Sequence, residues 1–121
     1  MANLFNLKGK TALIAGAGRG IGRAIALAYA EAGANLILGS RTLSEVEALA
    51  REARSYSVKA EALILDIASV TQSRTVIDQV LSLTGRIDIL VNNAGTVVRK
   101  PAVEVTETDW DLVLNTNLKG V

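Results

Sequence analysis

The 121 residues contain no cysteine and no histidine, which removes disulfides, thiolate nucleophiles, an imidazole general base and nearly every zinc or transition-metal site. Proline occurs once and aromatic side chains make up only 3% of the chain, so a core must be built from Ala, Val, Ile and Leu in thin layers. Neither sign of charge dominates. Thirteen Lys and Arg stand against 12 Asp and Glu, a net charge of +1, which leaves no electrostatic footprint for nucleic acid or an anionic membrane. Long apolar runs are missing as well. The segment from Met1 to Lys8 is broken by two asparagines and a lysine, unlike a signal peptide. The run from Thr11 to Ala15 is far shorter than the roughly 20 residues a membrane helix needs. The expectation is a soluble, cytoplasmic chain with one domain and one core, without nucleic-acid, membrane or metal partners.

What is present is an alternation of short apolar runs with longer amphipathic stretches, the pattern of successive βαβ units around a parallel sheet. Four strands are expected, at Thr11 to Ala15, Asn35 to Gly39, Ala62 to Leu65 and Ile87 to Val91. Between them, Ile21, Ile25, Ala28 and Ala32 mark the inner face of a first helix that stops at Gly33. Leu43, Val46, Leu49, Ala50 and Ala53 mark a second, which starts near Thr42 or Ser44 with a glutamate three residues on in either case. A third is expected to open on a capping box of Ser69 with Gln72, bury Val70, Ile77, Val80 and Leu81, and end at Gly85. A last helix starts at Thr106, with Val105 and Trp110 spaced as a hydrophobic staple and Trp110, Val113, Leu114, Asn117 and Leu118 on its inner face. The fourth strand has one evident neighbour, and a bare apolar edge invites aggregation, so further chain is expected after Val121.

The chemistry-bearing segment is Gly16-Ala17-Gly18-Arg19-Gly20-Ile21-Gly22, which follows a strand and opens a helix, the setting in which backbone amides and the helix dipole hold a diphosphate. The general dinucleotide pattern GxGxxG would need glycine at position 21, where Ile21 stands; the spacing that fits is Gly16-x-x-x-Gly20-x-Gly22. A bland alternative is a glycine turn that only lets helix and strand approach. A P-loop fails, because Gly9-Lys10-Thr11 would need its first glycine at Leu4. Where a ribose-binding carboxylate is usual, about 20 residues after the glycines, the second strand ends in Gly39-Ser40-Arg41. A guanidinium suits a 2′-phosphate through paired charge-assisted hydrogen bonds, and Arg19 adds a second positive charge, so NADP(H) is expected over NAD(H). Arg41 as a merely solvated residue is the alternative. Asp66 and Ile67 follow the third strand, on the side where ligands bind. The Asp66 carboxylate there either accepts from an adenine amino group or caps a turn. Asn93, Ala94 and Gly95 follow the fourth strand beside the first, where small residues permit close approach to a ribose.

With Gly16-x-x-x-Gly20-Ile21-Gly22, Asn92-Asn93-Ala94-Gly95 and Asn117-Leu118-Lys119-Gly120 all present in order, the chain resembles the short-chain dehydrogenase/reductase family along essentially its whole length. The segments Arg99-Lys100-Pro101 and Asn115 to Leu118 look most like the gluconate 5-dehydrogenase and 3-oxoacyl-carrier-protein reductase groups. One departure is Ala15, where the family usually has a threonine that braces the glycine loop. By resemblance Asn117 is the asparagine of a catalytic tetrad, holding a water in a proton relay; from physics alone it is a polar group that must be hydrogen-bonded on a buried face. The family's serine and Tyr-x-x-x-Lys pair are not found: Tyr29 and Tyr56 have Gly33 and Ala60 four residues later, and Lys59 falls one residue short.

The resemblance and the βαβ pattern together imply a Rossmann-like, doubly wound parallel sheet of order 3-2-1-4, the N-terminal half of a seven-stranded domain, with residues 1–121 forming the NAD(P)-binding part and the catalytic half absent. The implied activity is hydride exchange between NADP(H) and a small secondary alcohol or ketone of the sugar-acid or 3-oxoacyl type. This span by itself would be inactive, and the parent enzyme a dimer or tetramer of identical chains. The competing reading is a non-catalytic dinucleotide-binding fragment or redox sensor.

Overall fold

The computed structural model describes residues 6–95 and 99–121; the first five residues of the N-terminal segment considered above lie outside them. Four strands, β1 (Thr11–Ala15), β2 (Asn35–Ser40), β3 (Ala60–Ile64) and β4 (Ile89–Asn92), form one parallel sheet in the order β3-β2-β1-β4. The registers place Thr11 against Asn35, Ala12 against Ile89 and Leu36 against Ala60. Between the strands run α1 (Gly20–Glu31), α2 (Leu43–Arg54) and α3 (Val70–Thr84). After β4 come a short 3-10 turn at Ala102–Glu104, α4 (Glu107–Leu114) and a π-helical turn at Asn115–Lys119. This is the Rossmann-like architecture expected.

Strand periodicity divides the core in two. Ala12, Ile14, Leu36 and Leu38 point to the face covered by α1 and α2, where they meet Ala26, Ala30, Val46, Leu49, Ala50 and Ala53. Leu13, Ala15 and Ile37 point the other way and pack with Leu65, Ile67, Val76 and Val80 under α3. Every residue of β1 is buried, as a central parallel strand requires. At the opposite end of the sheet, the Asp88 carboxylate accepts from the Thr11 amide at 2.8 Å and pairs with Arg86 at 3.1 Å, tying β4 to the start of β1.

Several helical faces depart from their hydrophobic patterns. In α1 the buried positions are Gly22, Ala26 and Ala30 rather than the stripe from Ile21 to Ala32, and Ile21 is 72% exposed. The reason is proximity: a Cβ on Gly22 would lie 2.1 Å from the Gly16 carbonyl oxygen, so the face turned to the sheet takes the smallest residues, not the most apolar. In α3 Val76 and Val80 are buried, whereas Val70 and Leu81 are exposed. α2 follows its pattern, with Val46, Leu49, Ala50 and Ala53 all buried. β3 begins two residues before the expected Ala62 and stops at Ile64, and β4 begins two residues after Ile87 and runs to Asn92.

Helix ends show a similar mixture. Thr42 is the N-cap of α2 but its side chain makes no capping bond. The Ser69 hydroxyl accepts from the Gln72 backbone amide at 3.2 Å, yet the Gln72 side-chain Oε1 accepts from the Asp66 amide, so the reciprocal box is not formed. At α4, Thr106 and Asp109 do form a complete capping box. Val105 and Trp110, spaced as a staple, are both exposed. Gly33 and Gly85, past the ends of α1 and α3, adopt the left-handed conformation expected of them. No helix among the described residues is long and apolar enough to cross a membrane.

Candidate functional site

The carboxyl ends of all four strands converge on one cleft of about 270 Å³. Its walls are the β1–α1 turn, the end of β2 with the first turn of α2, the segment after β3, the segment after β4, and Thr116. The β1–α1 turn is held from both sides. Gly16 and Ala17 donate their amides to the Gly39 carbonyl at 2.9 and 3.0 Å, while Asn93 donates its side-chain amide to the Gly16 carbonyl at 3.0 Å and its backbone amide to Ala15. Gly16 has φ +83°, and a Cβ there would lie 2.5 Å from the Ala94 amide nitrogen. The glycines thus divide by task. Gly16 and Gly22 allow close packing of protein on protein, whereas a Cβ on Gly20, at φ +62°, would meet nothing within 4 Å. Asn93 and the Gly39 carbonyl brace the turn in a chain whose Ala15 has no hydroxyl for the purpose.

The amino end of α1 lacks what usually completes a helix. Its N-cap residue, Arg19, makes no side-chain capping bond, and the first turn holds no acidic residue. Amide donors are therefore left at the positive end of the dipole with a guanidinium added there. An anion would cancel that unfavourable arrangement. Arg19 and Arg41 are exposed at the cleft, and among the described residues neither has an ion-pair partner. Ser40 accepts from the Thr42 amide at 3.1 Å, which fixes its hydroxyl at the cleft wall. The donor set, with two guanidinium cations, fits the diphosphate and 2′-phosphate of a dinucleotide.

Of the positions singled out in the sequence, Gly16, Gly18, Arg19, Ser40, Arg41, Asp66, Ile67, Asn93, Ala94 and Gly95 line the cleft. Gly20, Ile21 and Gly22 do not; they form the start of α1 beside it. Asp66 uses one carboxylate oxygen to accept from the Ala68 amide at 3.0 Å, the turn role weighed for it, and lines the cleft as well. Asn117 is exposed rather than on a buried face, and Trp110, Leu114 and Leu118 are exposed with it; Thr116 is the buried residue of that stretch. For the positions after Leu114 the cause is the π turn at Asn115–Lys119, which inserts extra backbone into the helical ladder and rotates those side chains away from a 3.6-residue pattern, whereas Trp110 and Leu114 precede it on α4, which buries no residue. The turn seats on the segment after β3, where a Cβ on Gly120 would lie 2.3 Å from the Ile67 carbonyl oxygen. It also sets the Asn117 side-chain oxygen against Gly95, 3.4 Å from where a Cβ would stand.

The family model described as short chain dehydrogenase matches residues 10–121. The chain belongs to the short chain dehydrogenase family. Among its relatives, the 3-oxoacyl-(acyl-carrier-protein) reductase FabG of Thermotoga maritima is 41% identical over 115 residues, which are 95% of this chain and 47% of that protein. The 2-dehydro-3-deoxy-D-gluconate 5-dehydrogenase of Dickeya dadantii is 36% identical over 124 residues, covering 98% of this chain and 46% of that one. Both groups to which the sequence bore a resemblance are thus represented. The crystal structure of L-sorbose reductase from Gluconobacter frateurii, complexed with NADPH and L-sorbose, superposes with a TM-score of 0.89 at 31% identity, over 96% of this chain and 44% of that one. The chain spans a little under half the length of the short chain dehydrogenases it matches.

Four cleft residues escaped the sequence reading: Thr42, Glu45, Leu65 and Thr116. Thr42 and Glu45 were read only as helix-start signals. Their place one turn beyond the end of β2 was the available clue, because a helix that leaves the carboxyl end of a strand directs its first turn at the ligand crevice. Thr116 carried no signal, since only the π turn buries it.

Proposed function

We propose that residues 1–121 are the nucleotide-binding part of an NADP(H)-dependent oxidoreductase that interconverts a small secondary alcohol and a ketone. The observation that carries this reading is the uncapped amino end of α1, opening with Arg19 and Arg41 onto a cleft at the carboxyl ends of the strands. In this assignment the amides of the β1–α1 turn and the start of α1 from Gly18 to Gly22 hold the diphosphate, and Gly16, whose amide bonds the Gly39 carbonyl, shapes the turn around it. Ser40, Arg41 and Arg19 take the 2′-phosphate. Asp66 and Ile67 border the adenine, and Asn93, Ala94 and Gly95 support a ribose. The bound coenzyme supplies or accepts the hydride, and the protein positions it.

Asn117 is assigned as the catalytic asparagine that holds a water in the proton relay, and its placement against Gly95 at the cleft supports that role. Neither Tyr29 nor Tyr56 is followed four residues later by lysine, so this span by itself binds coenzyme without turnover. The names of the two relatives support a substrate of the sugar-acid or 3-oxoacyl type. The NADPH in the sorbose reductase structure supports the coenzyme. A cytoplasmic assembly of two or four identical chains completes the proposal.

Calorimetric titration of the protein carrying this chain with NADPH and with NADH tests it. Tighter binding of NADPH is the expected result. No heat from either coenzyme overturns the assignment of the cleft, and superimposable curves overturn the preference.

A further inference from the structure

The second strand ends without the carboxylate that dinucleotide sites usually direct at the ribose, but the fold returns one to the same place. Glu45, in the first turn of α2, folds back over the glycine turn. A Cβ on Gly18 would lie 2.8 Å from its Oε2, 3.1 Å from its Cβ, and 3.1 Å from the Ser40 hydroxyl oxygen. The carboxylate and the hydroxyl therefore flank one point on the cleft wall, with Arg19 and Arg41 lining the same cleft. Among the described residues Glu45 forms no ion pair, with either arginine or with any other cation, so its charge faces the cleft uncompensated.

Resting on the coenzyme reading above, we infer that Glu45 is the specificity-determining residue at the ribose 2′ position, accepting a hydrogen bond from a 2′-hydroxyl and opposing a 2′-phosphate. A carboxylate offers only acceptors, so it gains from an O–H group and is repelled by a dianion. Arg19 and Arg41 act in the opposite sense on the same group. The cleft thus admits both forms of the coenzyme, and the balance between Glu45 and the two arginines sets the ratio.

The test uses a ligand pair differing only at that position, 5′-AMP and 2′,5′-ADP, titrated into the protein carrying this chain and into its Glu45→Gln and Glu45→Ala variants. In both variants 2′,5′-ADP binds about fivefold tighter as the repulsion is removed. 5′-AMP binds weaker, by about threefold in Glu45→Gln and about fivefold in Glu45→Ala, as a charged acceptor is lost. Circular dichroism confirms the fold of each variant, and either one suffices if the other is unfolded. A ratio of the two affinities that moves less than twofold, or toward 5′-AMP, overturns the inference while leaving the coenzyme site in place. Failure of the wild-type protein to bind either nucleotide removes the coenzyme reading itself, and the inference with it.

Discussion

The β1-α1-β2-α2 region and the α4 region are built from similar residues and end in different states. In the first, β1 is wholly buried, and α2 seats Val46, Leu49, Ala50 and Ala53 on the sheet. In the second, α4 has no buried residue, and Trp110, Leu112 and Leu114 are all exposed. α4 makes its main contacts with the π turn that continues it. Amphipathic patterning is therefore not sufficient for burial: α2 has an apolar sheet at contact distance, and among the described residues α4 has none. Stability in the first region comes from area removed from water, and in the second from local bonds at the helix end.

The sharpest way to break this contrast is Gly16→Ala. Its positive φ and the backbone of Ala94 at 2.5 Å leave nowhere for a methyl group, so the loss is expected to exceed about 4 kcal/mol in chemical denaturation. Next, Leu38→Ala, at a fully buried position, is expected to cost about 2–5 kcal/mol. Leu118→Ala, at a position 72% exposed, should cost less than about 0.5 kcal/mol in the same melts. Equal losses would mean that the two regions are packed alike. At the cleft between them, Arg41→Ala is expected to weaken NADPH about tenfold while changing NADH little, which narrows the gap that titration reads.

The most local effect belongs to α4, where Thr106→Ala removes a capping bond worth about 1 kcal/mol, seen as faster amide exchange over residues 107–114. The same helix end responds to acid. The Lys100 ammonium, hydrogen-bonded at 2.8 Å, and then the Thr106 amide hold the Asp109 carboxyl below its ordinary value of 3.8. A carboxyl depressed in the folded state stabilises above its ordinary value, and that contribution is lost as pH falls through the depressed one. Protection in α4, taken relative to the intrinsic exchange rate at each pH, should therefore fall below about pH 3.8, and Asp109→Asn should flatten that response while leaving α2 unaffected.

Strand number and the buried face of α2 were legible in the sequence, because a parallel strand buried on both faces and a helix on an apolar sheet each impose a period that side chains must obey, while strand order followed from the resemblance and the right-handedness of βαβ crossovers. The faces of α1 and the positions after Leu114 were not. In α1, close approach selects Gly22, Ala26 and Ala30 over the larger residues a hydrophobicity pattern favours. After Leu114 the π turn breaks the period on which the expectation for Asn117 rested. The missing carboxylate at the end of β2 was read correctly along the chain, yet Glu45 fills that region from the next helix.

The sequence by itself determined the alternating elements, the glycine turn and the arginines beside it, since these depend on the residue and its near neighbours. Tertiary structure alone decided which glycines serve packing, that Asn93 braces the β1–α1 turn, that Glu45 reaches Gly18, and that Thr116 rather than Asn117 is buried. Each of these depends on distances between segments far apart along the chain, which the packing of helices on the sheet fixes and local periodicity does not encode.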